Sequence, residues 1–420
     1  MKVIVIGAGI VGIATAYFLW KRGCEVVIVE RRDDAALETS FGNGGVIHVS
    51  EAETWSRPGM PMKILRWLGD EQAPLLLRMR ALPEMWKWGV AFLRNCAEAR
   101  FLRNTLANLK FGHYSLDALH EIVADVALDY DRSARGVLKI YRSNQALDAA
   151  IRACELFKEH GLGYRALTPA QSAAYEPALG ATGPSLVGAL HFPTDEAGDC
   201  RKFTQGLAAH LAQHGVDARF GTEITGLGVT DGAVTAVETN KGPLRADAVV
   251  VAAGSFTPLL LRPLGIDLPI CPVKGISITV PSAPWKAAIT TPTIDDENLF
   301  GLVPIGDRLR VTGSAEITGY DATINSARAD AMITRVTKIF PGFADCYDKA
   351  TAKVWTGLRP VTPTGTAFMG RTRIRNLFVN AGHGHLGWTL GSGAGRWIAG
   401  IVTGGSTEAA FEGFPDPRQY

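Results

Sequence analysis

Cysteine is sparse and scattered in this chain. Six residues in 420 (Cys24, Cys96, Cys154, Cys200, Cys271 and Cys346) form no CxxC pair and no ligand-like cluster. That argues against a disulfide framework and against a metal site, and it fits a reducing compartment. Charge of either sign is in no excess either: 43 Lys and Arg stand against 41 Asp and Glu, a formal +2, so the chain is not built around a polyanion and no nucleic-acid partner is expected. Long hydrophobic runs are missing apart from residues 3–20, which carry no charge over 18 positions and approach the length of a short membrane span or signal sequence. Gly7, Gly9 and Gly12 interrupt that run, a β-branched V-I-V-I precedes them, Lys21-Arg22-Gly23 closes it as a helix C-terminus does, and nothing like a cleavage site follows. The expectation is a cytoplasmic protein or one bound peripherally to a membrane. A composition of 47% hydrophobic and 20% charged residues excludes disorder and fibrous repeats, and the length suits two or three domains.

What is present begins at once. Val3–Ile6 reads as a strand, Gly7 to Gly12 (G-A-G-I-V-G) as a turn, Ile13–Arg22 as a helix and Glu25–Glu30 as a second strand, a βαβ start within about 30 residues. Gly7 permits the tight turn, Gly9 the approach of a pyrophosphate to the backbone, and Gly12 close helix–strand packing, while helix amides face the phosphates. Glu30 ends the second strand, where ribose hydroxyls can donate to it. NAD and FAD both use this unit. The chain then leaves the regular βαβ pattern of an NAD enzyme for E-T-S-F-G-N-G-G (Glu38 to Gly45), a small, polar stretch suited to lie against phosphates and a ring.

Two distant stretches resume the pattern. Phe203–His214 reads as an amphipathic helix, followed by strand-like Ala218-Arg219-Phe220, T-E-I-T-G-L, an alternating strand Val234–Thr239 and a buried strand from Asp247 to Gly254. Asn376 to Trp388 (N-L-F-V-N-A-G-H-G-H-L-G-W) reads as a strand entering a Gly-rich turn and then a helix to Ile401.

These segments, with P-T-D-E-A-G-D-C (Pro193 to Cys200), C-P-V-K-G-I-S (Cys271 to Ser277) and W-T-G-L-R-P-V-T-P-T-G (Trp355 to Gly365), resemble the D-amino-acid dehydrogenase branch of the FAD-dependent amine oxidoreductases. Glycine oxidase, sarcosine oxidase and D-amino-acid oxidase belong to the same group. The resemblance runs nearly end to end. It implies an α/β chain, α+β overall, in which a Rossmann-like FAD-binding domain (1–58, 196–258 and 354–420) is interleaved with an antiparallel-sheet substrate domain (59–195 and 259–353). It also implies FAD, with Gly7, Ala8, Gly9, Ile10, Val11 and Gly12 at the pyrophosphate and Glu30 and Arg31 at the ribose. Thr39, Ser40, Asn43, Gly44 and Gly45 would line the diphosphate and flavin edge, Ile224 would contact the adenine through its backbone, Gly254 would pass close to the cofactor, and Gly382, Gly384, Leu386 and Gly387 would hold the pyrimidine end of the ring. Covalent attachment is not expected, since no cysteine falls in these motifs where the family makes such a link.

The implied reaction is hydride transfer from the Cα of a free D-amino acid to flavin N5, followed by hydrolysis of the imine to a 2-oxo acid and ammonia. Such a substrate must be held by its carboxylate, and a planar guanidinium does this through two charge-assisted hydrogen bonds. Arg359 in G-L-R-P is the candidate. Glycine oxidase has a second arginine inside the last Gly-rich motif, whereas this chain has His385, a weaker and pH-dependent donor. His48 would face the substrate side of the ring, Lys274 would come near it and favour the reduced flavin, and Tyr320 with Trp355 would shape the side-chain pocket. Dehydrogenases of D-proline or cis-4-hydroxy-D-proline and O2-using oxidases share the same motifs, and a flavin-binding protein without turnover or an NAD enzyme stays open at this point.

The near-neutral total also hides a bias. Residues 57–110 hold ten Lys and Arg against four Asp and Glu, and Trp55, Trp67, Trp86 and Trp88 fall in or beside them. Apolar and basic side chains alternate there as in an interfacial helix pair. The expected partners of this block are a membrane face and a quinone or other respiratory-chain acceptor; a basic lid packed on its own domain or in an oligomer interface is the alternative.

Overall fold

The computed structural model describes residues 1–71, 73, 75–182, 186–405 and 413–420. Its first sheet has six strands in the order Phe368–Arg371, Leu377–Ala381, Ala248–Val251, Lys2–Ile6, Glu25–Val29 and Asp217–Arg219, all parallel except the Phe368–Arg371 edge. Residues Val3 to Ile6 are buried on both faces. Val3 and Val5 pack with the helices Ile10–Lys21 and Cys200–Gln213, and Ile4 and Ile6 pack with Val234, Val237 and Ile266. A strand covered on both sides has no reason to alternate, which is why V-I-V-I is continuous. Lys2–Ile6 runs between Glu25–Val29 and Ala248–Val251, so the crossovers leave it in opposite directions and a crevice opens beyond its carboxyl end.

The helix begins at Ile10, three residues earlier than its glycines suggested. Gly9 is extended and caps it, with the Ile13 amide donating to the Gly9 carbonyl at 2.9 Å. Gly12 therefore sits in the first turn, pressed on Gly7: a Cβ there would lie 1.9 Å from the Gly7 oxygen. Helix Gly387–Val402 crosses the same helix backbone to backbone, with the Cβ position of Gly395 2.5 Å from the Ala14 carbonyl carbon.

The second sheet has nine strands and is antiparallel in most pairings. Along it run Lys353–Val361, Cys271–Pro281, Arg308–Ile317, Phe300–Ile305, Thr293–Asp295, Val137–Tyr141, Gly188–Phe192 and Arg165–Leu167, with Leu75–Leu77 pairing to Arg308–Ile317. Helix Ser326–Ile339 covers one face through Met332, Ile333 and Val336 against Ile276, Ile278 and Val311.

Two segments lie elsewhere than the ranges drawn from the sequence. Strand Lys353–Val361 pairs along its length with Cys271–Pro281, so residues 354–361 belong to the large sheet and not to the FAD-binding segment. Helix Glu98–Asp125, within the range given to the substrate domain, packs Phe111, Ala118, Leu119 and Ile122 into the core of the first sheet. Its apolar face fits the small-residue face of Gly387–Val402, where the Gly393 amide donates to Ser115 Oγ at 2.9 Å.

Candidate active site

An elongated cavity of about 700 Å³ starts at the carboxyl end of Lys2–Ile6 and runs to the edge of the large sheet. At its outer end lie Glu30, Arg31 and Ile224. The Glu30 carboxylate accepts from the amides of Ala8 (2.8 Å) and Arg32 (2.9 Å), which fixes it beside the glycine turn. Arg31 pairs with Glu38 and lies 3.9 Å from the ring centre of Phe256.

Gly7, Gly9, Ile10 and Val11 line the middle, opposite Thr39, Ser40, Asn43 and Gly44, with Gly254 alongside. Ser40 Oγ accepts from the Ile10 amide at 3.1 Å; the next amides of that first turn have no intrahelical acceptor and suit a phosphate. Ala8, Gly12, Gly45, Gly382 and Leu386 do not line the cavity. They form its backing: Leu386 is buried in the core, and a Cβ on Gly45 or Gly382 would strike Ile305 or Thr362.

The inner end is built by Gly384, His385, Gly387, His48 and Trp355, together with residues that the sequence reading missed: Glu51, Gly275, Asn380, His383 and Trp388. Four buried polar atoms here have no protein partner, namely His48 Nδ1, His383 Nε2, Asn380 Oδ1 and Trp388 Nε1. A buried polar atom without a partner costs about 1–3 kcal/mol, and all four residues line the cavity, which suits a ligand with a polar ring edge, as a flavin has. No cysteine lines this end.

Arg359 stands where this cavity meets a second one of about 870 Å³. Among the described residues its guanidinium makes one hydrogen bond, from Nη1 to the Ser314 carbonyl at 3.2 Å, and no carboxylate lies in ion-pair distance. Burial lowers it to about 10. A half-buried guanidinium in a cavity wall, with no anion of its own, suits an anionic ligand group.

Close by is an ionic cluster that the sequence reading did not single out. Glu51, three residues after His48, pairs with Lys139 from strand Val137–Tyr141. Burial pushes Glu51 upward, but Lys139 and the two histidines override it and hold the carboxyl at about 2. The same contact, with Asp296, keeps Lys139 well above its ordinary value against the pull of burial. Burial lowers His48 and His385 to about 4, so both are neutral at neutral pH. His385 stacks on Trp55 at 5.4 Å and lies 3.4 Å from the Glu51 carbonyl. One residue before Glu51, Ser50 donates from amide and hydroxyl to Asp195, which burial raises to about 7. A single lysine inside the apolar strand V-L-K-I-Y was the one signal in the sequence for this cluster.

Two candidates lie outside both cavities. Lys274 pairs with Glu316 at 3.2 Å and donates to the Thr323 carbonyl at 2.9 Å. Side chains alternate along strand Cys271–Pro281, so Lys274 points away from the face on which Gly275 meets Arg359. Tyr320 donates to the Ser255 carbonyl at 3.0 Å and packs on Phe256, behind the cavity wall. Neither reaches the space where substrate or ring would lie.

The chain matches the DAO family, FAD dependent oxidoreductase, over residues 2–401. It is 44% identical over 414 residues to a D-amino acid dehydrogenase of Paramagnetospirillum magneticum, covering 98% of this chain and 97% of that one. With a D-amino acid dehydrogenase of Methylobacterium radiotolerans it shares 42% over 411 residues, again 98% and 97% of the two chains. Among solved structures, the L-proline dehydrogenase of P. horikoshii superposes with a TM-score of 0.78 at 20% identity, covering 100% of this chain and 97% of that one. The glycine oxidase of Geobacillus kaustophilus gives 0.76 at 22%, covering 100% and 98%. At those identities the likeness to the two structures is one of fold.

Proposed function

The chain belongs to the FAD-dependent oxidoreductase family, and on that premise we propose that it oxidises free D-amino acids to 2-oxo acids and ammonia. The observation that carries this reading is Arg359, a half-buried guanidinium in the cavity wall with no carboxylate partner among the described residues. The relatives named D-amino acid dehydrogenase, at 42–44% identity over nearly the whole chain, support the choice of substrate.

Bound without a covalent link, FAD supplies the acceptor for the hydride that leaves Cα. The residues of the chain do the rest. Arg359 donates two parallel N–H groups to the substrate carboxylate and so fixes the position of Cα. Glu51, kept ionised by Lys139, attracts the α-ammonium group. The ammonium proton leaves to solvent before hydride transfer, and His48, held neutral by burial and with Nδ1 unpartnered, accepts a hydrogen bond from the neutral amine, whose lone pair assists loss of hydride.

The electrons pass to a quinone or another respiratory acceptor, and the protein sits peripherally at the inner face of the cytoplasmic membrane. No helix among the described residues is long and apolar enough to cross a membrane. The helices Met60–Trp67 and Leu82–Asn95 of the basic block present Met62, Leu65, Trp86, Val90 and Leu93 outward, Leu65 and Trp86 at 62% and 60% exposure. Apolar side chains among lysines and arginines on one face suit an anionic lipid surface. A panel of D- and L-amino acids with an artificial dye acceptor tests the substrate reading: turnover with several D-enantiomers and none with their mirror images is expected, and turnover confined to L-enantiomers rejects it.

A further inference from the structure

Strand Lys353–Val361 carries Arg359 and stands at the edge of the large sheet, with Cys271–Pro281 as its one strand partner among the described residues. An edge strand offers unpaired carbonyls and amides along its free side. The carbonyl of Leu358, one residue before Arg359, is taken by two hydroxyls from outside the sheet: Thr39 Oγ1 and Ser255 Oγ each donate to it at 2.9 Å. Both donors line the cofactor cavity, Thr39 in the stretch Glu38 to Gly45 and Ser255 in the turn Gly254–Phe256. These two segments are also tied to each other, since Arg31 pairs with Glu38 and lies 3.9 Å from the ring centre of Phe256. Tyr320 holds the same turn from behind, its hydroxyl donating to the Ser255 carbonyl at 3.0 Å and its ring packing on Phe256. Ser255 is thus fixed through its carbonyl while its hydroxyl grips Leu358. Arg359 has little else to direct it, because its guanidinium makes one hydrogen bond among the described residues, to the Ser314 carbonyl. Where that guanidinium lies depends on where the backbone beside it is placed.

We propose that Thr39, Ser255 and Tyr320 are positioning residues that set Arg359 against the cofactor by holding the Leu358 carbonyl. The anchor for a substrate carboxylate is then registered by the cofactor-binding segments as well as by its own sheet. The inference rests on the reading of Arg359 as the carboxylate site. Two donors on one buried oxygen back each other up: either hydroxyl alone keeps the carbonyl satisfied, and loss of both leaves it bare. Their removal is therefore expected to be more than additive, as it is for groups that share one partner. The same arrangement gives Tyr320, which lies outside both cavities, a part in substrate binding without contact to substrate or ring.

The probe is benzoate, a carboxylate with no amine to oxidise, titrated into the holoprotein and followed by the change it causes in the flavin absorption. Thr39→Val and Ser255→Ala are each expected to weaken benzoate about twofold, and the two together about tenfold or more, at undiminished flavin content. Thr39→Ser combined with Ser255→Ala keeps one hydroxyl and is expected to bring the affinity back to that of Ser255→Ala alone. Tyr320→Phe, which loses the donor and keeps the ring, is the further variant should the double one lose its flavin, and is expected to weaken benzoate at least twofold. Benzoate affinity equal to the wild type in the double variant or in Tyr320→Phe overturns the proposal. So does a double loss no greater than the product of the two single ones, and so does a wild type that binds no benzoate. Benzoate binding weakened as expected in a protein whose flavin no D-amino acid reduces supports the positioning role and rejects the amino-acid reading; reduction by D-amino acids with equal benzoate affinity in wild type and variants does the reverse.

Discussion

The guanidinium of Arg359 fills the space that a side chain on Gly275 would need: a Cβ there would lie 2.0 Å from Nη1 and 2.3 Å from Cζ. The two residues are on neighbouring strands, where Arg359 pairs in register with Val273. The glycine in P-V-K-G is thus explained by the arginine in G-L-R-P.

Gly275→Ala follows directly. The guanidinium is the far end of a flexible side chain, so the strand survives and Arg359 swings aside. KM for a D-amino acid rises about tenfold or more, equivalent to about 1.4 kcal/mol, while flavin content stays at the wild-type level. Steady-state kinetics beside an absorption spectrum checks both halves, and an unchanged KM would show that Arg359 does not need its present position.

Gly12→Ala acts on the cofactor end. Its Cβ would meet the Gly7 backbone oxygen at 1.9 Å, and neither atom can give way without breaking the turn. Overpacking of this kind costs about 1–3 kcal/mol or more. The purified variant is expected to have a lower Tm and to lose most of its flavin.

These two cases also show how far the sequence could be read. Gly7, Gly9 and Gly12 carry a local geometry that neighbouring residues reveal, so the first βαβ unit was legible apart from the exact start of its helix. The place of Arg359 in the cavity wall was legible through its motif. Lys274 was misjudged because its direction depends on strand alternation, which a seven-residue motif does not disclose. Glu51 and Lys139 are 88 positions apart and meet only after helix Glu98–Asp125 and strand Val137–Tyr141 have packed. No local pattern announces such a pair. The membership of Glu98–Asp125 in the first core was hidden for the same reason, since its partners lie near residue 393.

The buried titratable groups set opposing pH dependences. Burial lowers His48, His383 and His385 to about 4. Between about pH 6.5 and 4 the unfolded chain therefore binds protons that the folded chain refuses, and stability falls as pH drops through that window. Asp195 is raised to about 7 by burial. Between about pH 7 and 4 the folded chain keeps a proton that the unfolded one has released, so this contribution grows as pH drops. Asp195→Asn removes the opposing contribution. Denaturant titrations at pH 6.5 and 4.5 should show a steeper loss of stability in the variant than in the wild type; equal losses would place Asp195 in a wetter setting.

Membrane contact is expected to depend on the outer faces of the two basic-block helices. Wild-type holoprotein should sediment with anionic vesicles at low salt and be released by high salt. Met62→Glu, Leu65→Glu and Trp86→Glu combined should stay in the supernatant with flavin content unaffected. Equal sedimentation of both proteins would assign these faces to some other contact.

The substrate reading turns on whether Arg359 holds the carboxylate of a free D-amino acid, and anaerobic mixing tests that most directly. Wild-type holoprotein should lose the long-wavelength absorption of its flavin on mixing with a D-amino acid. Arg359→Ala, with its flavin retained, should need far more substrate and show kcat/KM lower by about 10²-fold, equivalent to about 3 kcal/mol for two lost charge-assisted hydrogen bonds. A wild-type protein that no D-amino acid bleaches, or an Arg359→Ala variant that bleaches as readily as the wild type, would contradict the account.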